Sequence, residues 1–350
     1  MREYHNILVY AMVNLGDVIL LTSAIALLKK IYPNARITML SRPIVREVIE
    51  HNPVIDDVIL FDYKAKQNAV GRMWAMVQEL RARKFDLAIS FDRKLRTALL
   101  CWLAGIPVRV GPSRVLDARP SRVTWLYTNT VPITYNLDET LQAETYQEII
   151  RSFTGREGHE RPILPSPTAQ QREKAAELLS SAAGKRRIGL CVKGTFGLKT
   201  WPKEYFVEVV RALHARYDAA FYVTGAPGDH AYAEEVIQAI GLPVENLCGK
   251  TNLMELTALY AQLDLLVSVD TGGAHIAAVT GVPLVVMFGC TSPRRWHPIS
   301  ERAAVFSSHE PCCPCSYGET DCPSYPQPDC LYHVKPDTII AACTAYLDET

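Results

Sequence analysis

Short apolar runs of strand length alternate with segments of helical period along most of the chain, and they do so twice. In the first half the runs are Ile7 to Met12, Arg36 to Leu40, Asp57 to Phe61, Asp86 to Ser90 and Val108 to Val110, separated by helical segments at 18 to 32, 43 to 51, 67 to 84 and 93 to 104. In the second half the runs at 187 to 192, 219 to 225, 265 to 270 and 284 to 289 alternate with helical segments at 203 to 217, 228 to 240, 252 to 262 and 272 to 280. Strands and helices of these lengths imply βαβ units, and right-handed crossovers turn such units into a parallel, doubly wound α/β sheet. The runs are apolar at almost every position rather than at alternate ones, as expected where helices cover both faces of a sheet.

Two such patterns in 350 residues fit two domains. The stretch 154 to 167, rich in Pro, Gly and charge, reads as the linker. The expected division is an N-terminal domain over 1–160, a C-terminal domain over 161–335 that ends in a Cys-rich tail, and a last helix within 336–350. A ligand is expected in a cleft facing the carboxyl ends of both sheets. The opening MREYHNILVY lacks the apolar core and cleavage site of a signal peptide, and no apolar stretch approaches the roughly 20 residues of a spanning helix. A cytoplasmic location follows as an expectation, and in that reducing setting the cysteines are expected free, metal-bound or redox-active.

Thirty-seven basic residues balance 37 acidic ones, so overall charge points to no nucleic-acid partner. The balance is uneven along the chain. From Arg81 to Arg122 there are ten basic and three acidic residues, and from Thr251 to Thr350 four basic and eleven acidic. The basic stretch, with Arg93, Lys94 and Arg96 at its centre, suits an anionic acceptor or an anionic membrane surface; the plain alternative is a solvated helix face.

Three loops carry chemistry. Asn14-Leu15-Gly16-Asp17 lies between the first strand and the first helix, where Gly16 permits a tight turn and the Asp17 carboxylate can take a proton from a substrate hydroxyl. Helix capping by Asp17 is the competing reading. Lys193 to Pro202 contains two glycines, two threonines and two lysines in one loop, a composition suited to cradling phosphate, with Lys199 offsetting a leaving diphosphate. Val269-Asp270-Thr271-Gly272-Gly273-Ala274-His275 ends a strand and opens a helix whose exposed N–H groups suit pyrophosphate, while Asp270 suits sugar hydroxyls. His275 falls one turn into that helix.

Taken in order, Asn14-Leu-Gly-Asp-Val, Phe85-Asp-Leu-Ala-Ile, Ala104-Gly-Ile, Lys199-x-Trp-Pro, Asp270-Thr-Gly-Gly-x-His, Gly281-Val-Pro and Phe288-Gly-x-Thr-Ser-Pro resemble the glycosyltransferase family 9 pattern, that of the ADP-heptose:lipopolysaccharide heptosyltransferases. The resemblance implies a GT-B fold of two Rossmann-like domains and an inverting transfer that needs no cofactor or catalytic metal. It also implies an ADP-heptose donor and a lipopolysaccharide inner-core acceptor, lipid A–Kdo or its heptosylated form. On this resemblance Asp17 is the general base, Thr195 and Lys199 hold the diphosphate, and Asp270, Thr271, Gly272, Gly273 and His275 bind the donor. Gly225, Lys250 and Thr251 then line the nucleotide pocket. A family member with another nucleotide-sugar or acceptor, a two-domain epimerase or hydrolase, and a non-catalytic nucleotide-sugar-binding protein fit the same motifs.

Cys312, Cys313, Cys315, Cys322 and Cys330 fall within nineteen residues. A structural Zn or Fe held by Cys312, Cys315, Cys322 and Cys330 is one expectation, and free thiols are the other. Cys101, Cys191, Cys248, Cys290 and Cys343 lie in apolar runs and read as core.

Overall fold

The computed structural model describes residues 3–62, 69–92, 94–114, 120–134, 136, 138–315 and 321–349. The chain divides into two units, Met1–Pro165 and Ser166–Thr350. Unit 1 runs β1 (Asn6–Tyr10), α1 (Leu15–Ile31), β2 (Arg36–Ser41), α2 (Arg46–Ile49), β3 (Asp57–Leu60), α3 (Ala69–Ala82), β4 (Leu87–Ser90), α4 (Leu95–Leu103), β5 (Val108–Pro112), β6 (Asn129–Val131) and α5 (Gln142–Thr154). Unit 2 runs α6 (Ala169–Leu178), β7 (Arg186–Cys191), α7 (Lys203–Arg216), β8 (Ala219–Val223), α8 (His230–Ile240), β9 (Val244–Asn246), α9 (Leu253–Tyr260), β10 (Leu265–Val269), α10 (Gly272–Thr280), β11 (Leu284–Met287), α11 (Pro293–Trp296), β12 (Ala303–Phe306), α12 (Asp329–Tyr332) and α13 (Pro336–Asp348).

Each unit contains a six-stranded sheet, in the orders β3-β2-β1-β4-β5-β6 and β12-β11-β10-β7-β8-β9, and every pairing within them is parallel. Both are the Rossmann order, with the direction of winding reversing between β1 and β4 and between β7 and β10. Loops at such a reversal splay apart at the carboxyl edge of the sheet, where this fold binds ligands.

Helix α1 shows why the apolar pattern is so dense. Val18 through Leu28 are all buried, and α1 packs along α5. A helix with no solvent face has no polar stripe. On one face of the unit 1 sheet, Met76, Val77 and Leu80 of α3 and Leu100 and Cys101 of α4 pack on Leu8, Tyr10 and Ala88. In unit 2, α7, α8 and α13 close one face: Ile339, Cys343 and Leu347 join Phe206, Val210 and Leu213 in the core, and the fully buried Trp201 donates from Nε1 to the Val334 carbonyl at 3.0 Å. The last helix therefore belongs to unit 2.

The segment 155–168 has no regular secondary structure, but its first part is tied to unit 1. Gln147 exchanges two bonds with the Glu160 backbone, and Ile163 donates to the Thr22 hydroxyl at 2.9 Å while accepting from Asn52 Nδ2 at 2.9 Å. The division between units consequently falls after 165. Sequence periodicity had not marked α5, α6, β6, β9 or β12. The three strands are edge strands of three or four residues, and α5 buries Gln142, Thr145 and Gln147, polar residues that blur its apolar stripe.

Candidate active site

At the reversal in unit 1, the loop after β1 enters α1 through Asn14, whose extended backbone (φ −86°, ψ 174°) makes it the helix N-cap. Asp17 is thus not the cap, and Gly16 is helical rather than part of a turn. Asn14 Oδ1 accepts from Arg42 at 3.1 Å. Asp17 sits in the first turn of α1, half-buried, and its Oδ1 accepts a hydrogen bond from the Tyr146 hydroxyl at 3.1 Å. Tyr146 comes from α5, is itself buried, and stands edge-on to Phe91 with ring centroids 5.8 Å apart. A rigid phenol therefore orients the carboxylate from 129 residues away in the chain.

The loop after β4 is organised by Asp92, a buried carboxylate that the sequence reading did not single out. It accepts from the Met12 amide at 2.8 Å, the Lys94 amide at 3.1 Å and the Thr97 hydroxyl at 3.2 Å. Burial raises its pKa, and these donors oppose the rise. Lys94 is the N-cap of α4, and its ammonium donates to the Met12 carbonyl at 2.7 Å, so it braces the β1 loop instead of only facing outward. Met12, Phe61, Lys94, Arg96, Thr97 and Leu100 line a small pocket at the start of α4. Arg96 is exposed there, and Arg93 lies outside the described residues.

At the reversal in unit 2, β10 delivers Asp270 to the position just before Thr271, the N-cap of α10. Its amide donates to Met287 at 3.1 Å, continuing the sheet, and the side chain is buried. Oδ2 accepts from Lys199 Nζ at 2.6 Å and from Thr291 Oγ1 at 2.6 Å. Lys199 and Asp270, which the sequence assigned to separate parts of the donor, are thus one ion pair, with side chains 18% and 7% exposed. An ammonium has three protons, so the pairing leaves Lys199 with donors to offer a phosphate. Lys199 ends a short 3-10 turn, Gly197–Lys199, in a loop folded back on itself. A Cβ at Gly194 would stand 2.5 Å from the Lys199 carbonyl oxygen, which is why glycine is needed there. Thr195 is exposed in the same loop.

Thr271 caps α10 through its extended backbone, and its Oγ1 is buried without a hydrogen-bond partner among the described residues, as is His275 Nδ1. Buried polar atoms are seldom left unpaired in native proteins, and two such atoms beside a helix N-terminus mark a place where polar ligand atoms fit. Burial pushes the His275 imidazole down to about 4, so it is neutral at physiological pH.

A buried network joins the other half of this edge. The hydroxyls of Thr224 and Tyr260 lie 2.8 Å apart, Cys191 Sγ lies 3.4 Å from the Tyr260 oxygen, and a Cβ at Gly273 would come within 3.2 Å of that oxygen. Gly225 follows Thr224, and its carbonyl accepts from Gly249 at 3.0 Å, bringing the Lys250–Thr251 turn beside the turn after β8. Asn252 and Glu255 form a reciprocal capping box directly behind that turn, and it is anchored through Glu255 to Lys174 at 2.8 Å. Thr291 lay inside a motif already singled out in sequence, whereas Tyr260 and Tyr146 carried no local signal.

The cysteine tail is arranged differently from the expected metal site. Among the described residues no three or more His, Cys, Asp or Glu side chains come together to hold a metal ion. Cys330 on α12 is buried in the unit 2 core, and Cys313 packs against that core. The Cys315 amide donates instead to the Cys290 carbonyl at 3.0 Å, and Cys312 is exposed. Cys101, Cys191, Cys248, Cys290 and Cys343 are all buried.

A family model described as glycosyltransferase family 9 (heptosyltransferase) matches residues 73–325. The chain belongs to glycosyltransferase family 9. It is a glycosyltransferase, and its two Rossmann-like units are those of the GT-B fold. Lipopolysaccharide heptosyltransferase 3 of Escherichia coli is 28% identical over 302 residues, covering 83% of this chain and 85% of the relative. The crystal structure of a glycosyl transferase family 9 protein from Veillonella parvula superposes with a TM-score of 0.85 at 23% identity, covering 100% of this chain and 99% of that one. The E. coli ADP-heptose lps heptosyltransferase II structure does so with a TM-score of 0.78 at 21% identity, covering 98% and 99%.

Proposed function

We propose that this family 9 glycosyltransferase moves a heptose from ADP-heptose to a lipopolysaccharide inner-core acceptor, with inversion and without a catalytic metal. The observation that carries the donor side is the start of α10. There a buried Asp270 is held by Lys199 and Thr291, beside Thr271 Oγ1 and His275 Nδ1, which have no hydrogen-bond partner among the described residues. The Lys199 ammonium, the first amides of α10 and the Thr271 and Thr195 hydroxyls suit a diphosphate, and Asp270 suits the sugar hydroxyls. Gly225, Lys250 and Thr251 are assigned to the nucleoside end.

Inversion is one in-line displacement. The acceptor oxygen attacks the anomeric carbon, its proton passes to Asp17, and the bond from that carbon to the diphosphate breaks with its electron pair leaving on ADP. Tyr146 holds Asp17 in place for this transfer. Arg96 and Lys94, at the pocket opening α4, are assigned to the anionic acceptor. The heptosyltransferase relative supports the choice of sugar. The test is incubation with ADP-heptose in the presence and absence of a lipid A–Kdo acceptor, following ADP release and product mass. Acceptor-dependent release with a product heavier by one heptose is expected; acceptor-independent hydrolysis, or binding without turnover, would overturn the reading.

A further inference from the structure

We infer that the outer surface formed by α3, α4 and the turn Thr124–Leu126 is a docking face for a bilayer containing anionic phospholipid. The inference rests on the glycolipid-acceptor reading above. Among the described residues the chain has eight large apolar side chains that are exposed, and five of them, Val70, Trp74, Leu95, Trp102 and Trp125, lie on these three elements. Single exposed apolar residues are ordinary, but a concentration on one face is not. Trp74, Trp102 and Trp125 are 55%, 47% and 66% exposed, and the last two rings meet edge-on at 6.5 Å. Tryptophan favours the boundary between water and lipid, where its apolar body and its N–H are both satisfied.

Connectivity places these side chains on one side of unit 1. Helices α3 and α4 pack on the same face of the sheet, and Arg81 at the end of α3 donates to the Leu103 carbonyl at the end of α4, at 2.8 Å. Val70, Trp74 and Arg81 follow one helical stripe, as do Leu95, Leu99 and Trp102.

Charge on this face selects the partner. The stretch 81–122 has three acidic residues against ten basic ones. Of the acids, Asp86 accepts from the backbone of His5 and Asn6, Asp92 is buried, and Asp117 lies outside the described residues. Arg81 on α3, Arg96 on α4 and Arg122 just before the turn Thr124–Leu126 are exposed, while Glu79 on α3 is paired with Arg83 at 3.0 Å. Elements that expose both aromatic side chains and cations match an anionic lipid surface, whereas a second copy of this face would meet it with like charge. Because α4 also presents Arg96 at its acceptor pocket, the same helix would contact both the bilayer and the head group of a glycolipid within it.

The test uses the full chain and flotation with phosphatidylethanolamine vesicles, with and without phosphatidylglycerol. Binding should require phosphatidylglycerol, fall in high salt, and weaken about tenfold or more in Trp102→Ala/Trp125→Ala while ADP affinity is unchanged. Brominated phosphatidylglycerol should quench wild-type tryptophan fluorescence, a readout that needs no variant to fold. Absence of binding, undiminished binding by the double variant, or self-association through this face without vesicle binding would each overturn the inference. Failure of sugar transfer with vesicle binding intact would overturn only the heptosyl reading and leave the docking face supported.

Discussion

Protonation of His275 should set how the protein responds to mild acid. The imidazole lies one turn into α10 and is buried, with Asp270 favouring its charged form and Lys199 and His297 opposing it. Burial dominates and lowers its pKa from 6.5 to about 4. Above pH 6.5 the ring is neutral in both the folded and the unfolded chain. As pH falls below that value the unfolded chain takes up a proton that the native state refuses, so stability is lost until about pH 4, where the native ring protonates too. At about 1.4 kcal/mol per pH unit, this window amounts to about 3 kcal/mol. The assay is urea unfolding of the wild type and of His275→Leu across this range. All other groups are common to the two proteins, so the difference between the two curves isolates His275. The variant should be within about 1 kcal/mol of the wild type above pH 7 and gain on it by about 2–3 kcal/mol near pH 4. If the two curves stay parallel, His275 is not the buried, neutral group described here.

Asp17→Asn should abolish turnover while leaving ADP affinity nearly intact, measured by single-turnover kinetics and calorimetry; retention of activity within about tenfold, 1.4 kcal/mol, would remove Asp17 as the base. Tyr146→Phe deletes the phenol that orients Asp17 and keeps the ring against Phe91. It should lower kcat by about tenfold with the donor KM unchanged, and an unchanged kcat would show that this bond positions nothing. Lys199→Ala should weaken ADP binding and turnover together and destabilise unit 2 by about 3 kcal/mol, because it leaves the Asp270 carboxylate buried with the Thr291 hydroxyl as its remaining side-chain partner. Lys199→Ala/Asp270→Ala should recover part of that stability in a thermal melt, and strict additivity of the two substitutions would refute the pairing.

Local pattern was enough to determine the repeated βαβ architecture, the exit of β10 into Asp270 just past its last residue Val269, and the helix opening at Gly272-Gly273. Strand and helix periodicity, and the chemistry of a glycine pair at a helix start, act over a few residues. The same is true of the five core cysteines and of α1, whose dense apolar run announces its burial. Partners far apart in the chain were decided only by tertiary structure. Tyr146 reaches Asp17 across 129 residues, Lys199 reaches Asp270 across 71, and Thr22 holds Ile163 of the linker against unit 1 across 141. Asn14 displaced Asp17 as the cap because the backbone turns extended three residues earlier than the carboxylate. The placement of Cys330 in the unit 2 core by α12, and of the Cys315 amide against the Cys290 carbonyl, was likewise decided by tertiary contacts. Residue type and spacing specify which groups can do the chemistry; which groups meet depends on the sheet order and on the helices packed across it, and these become fixed only when the whole sheet is assembled.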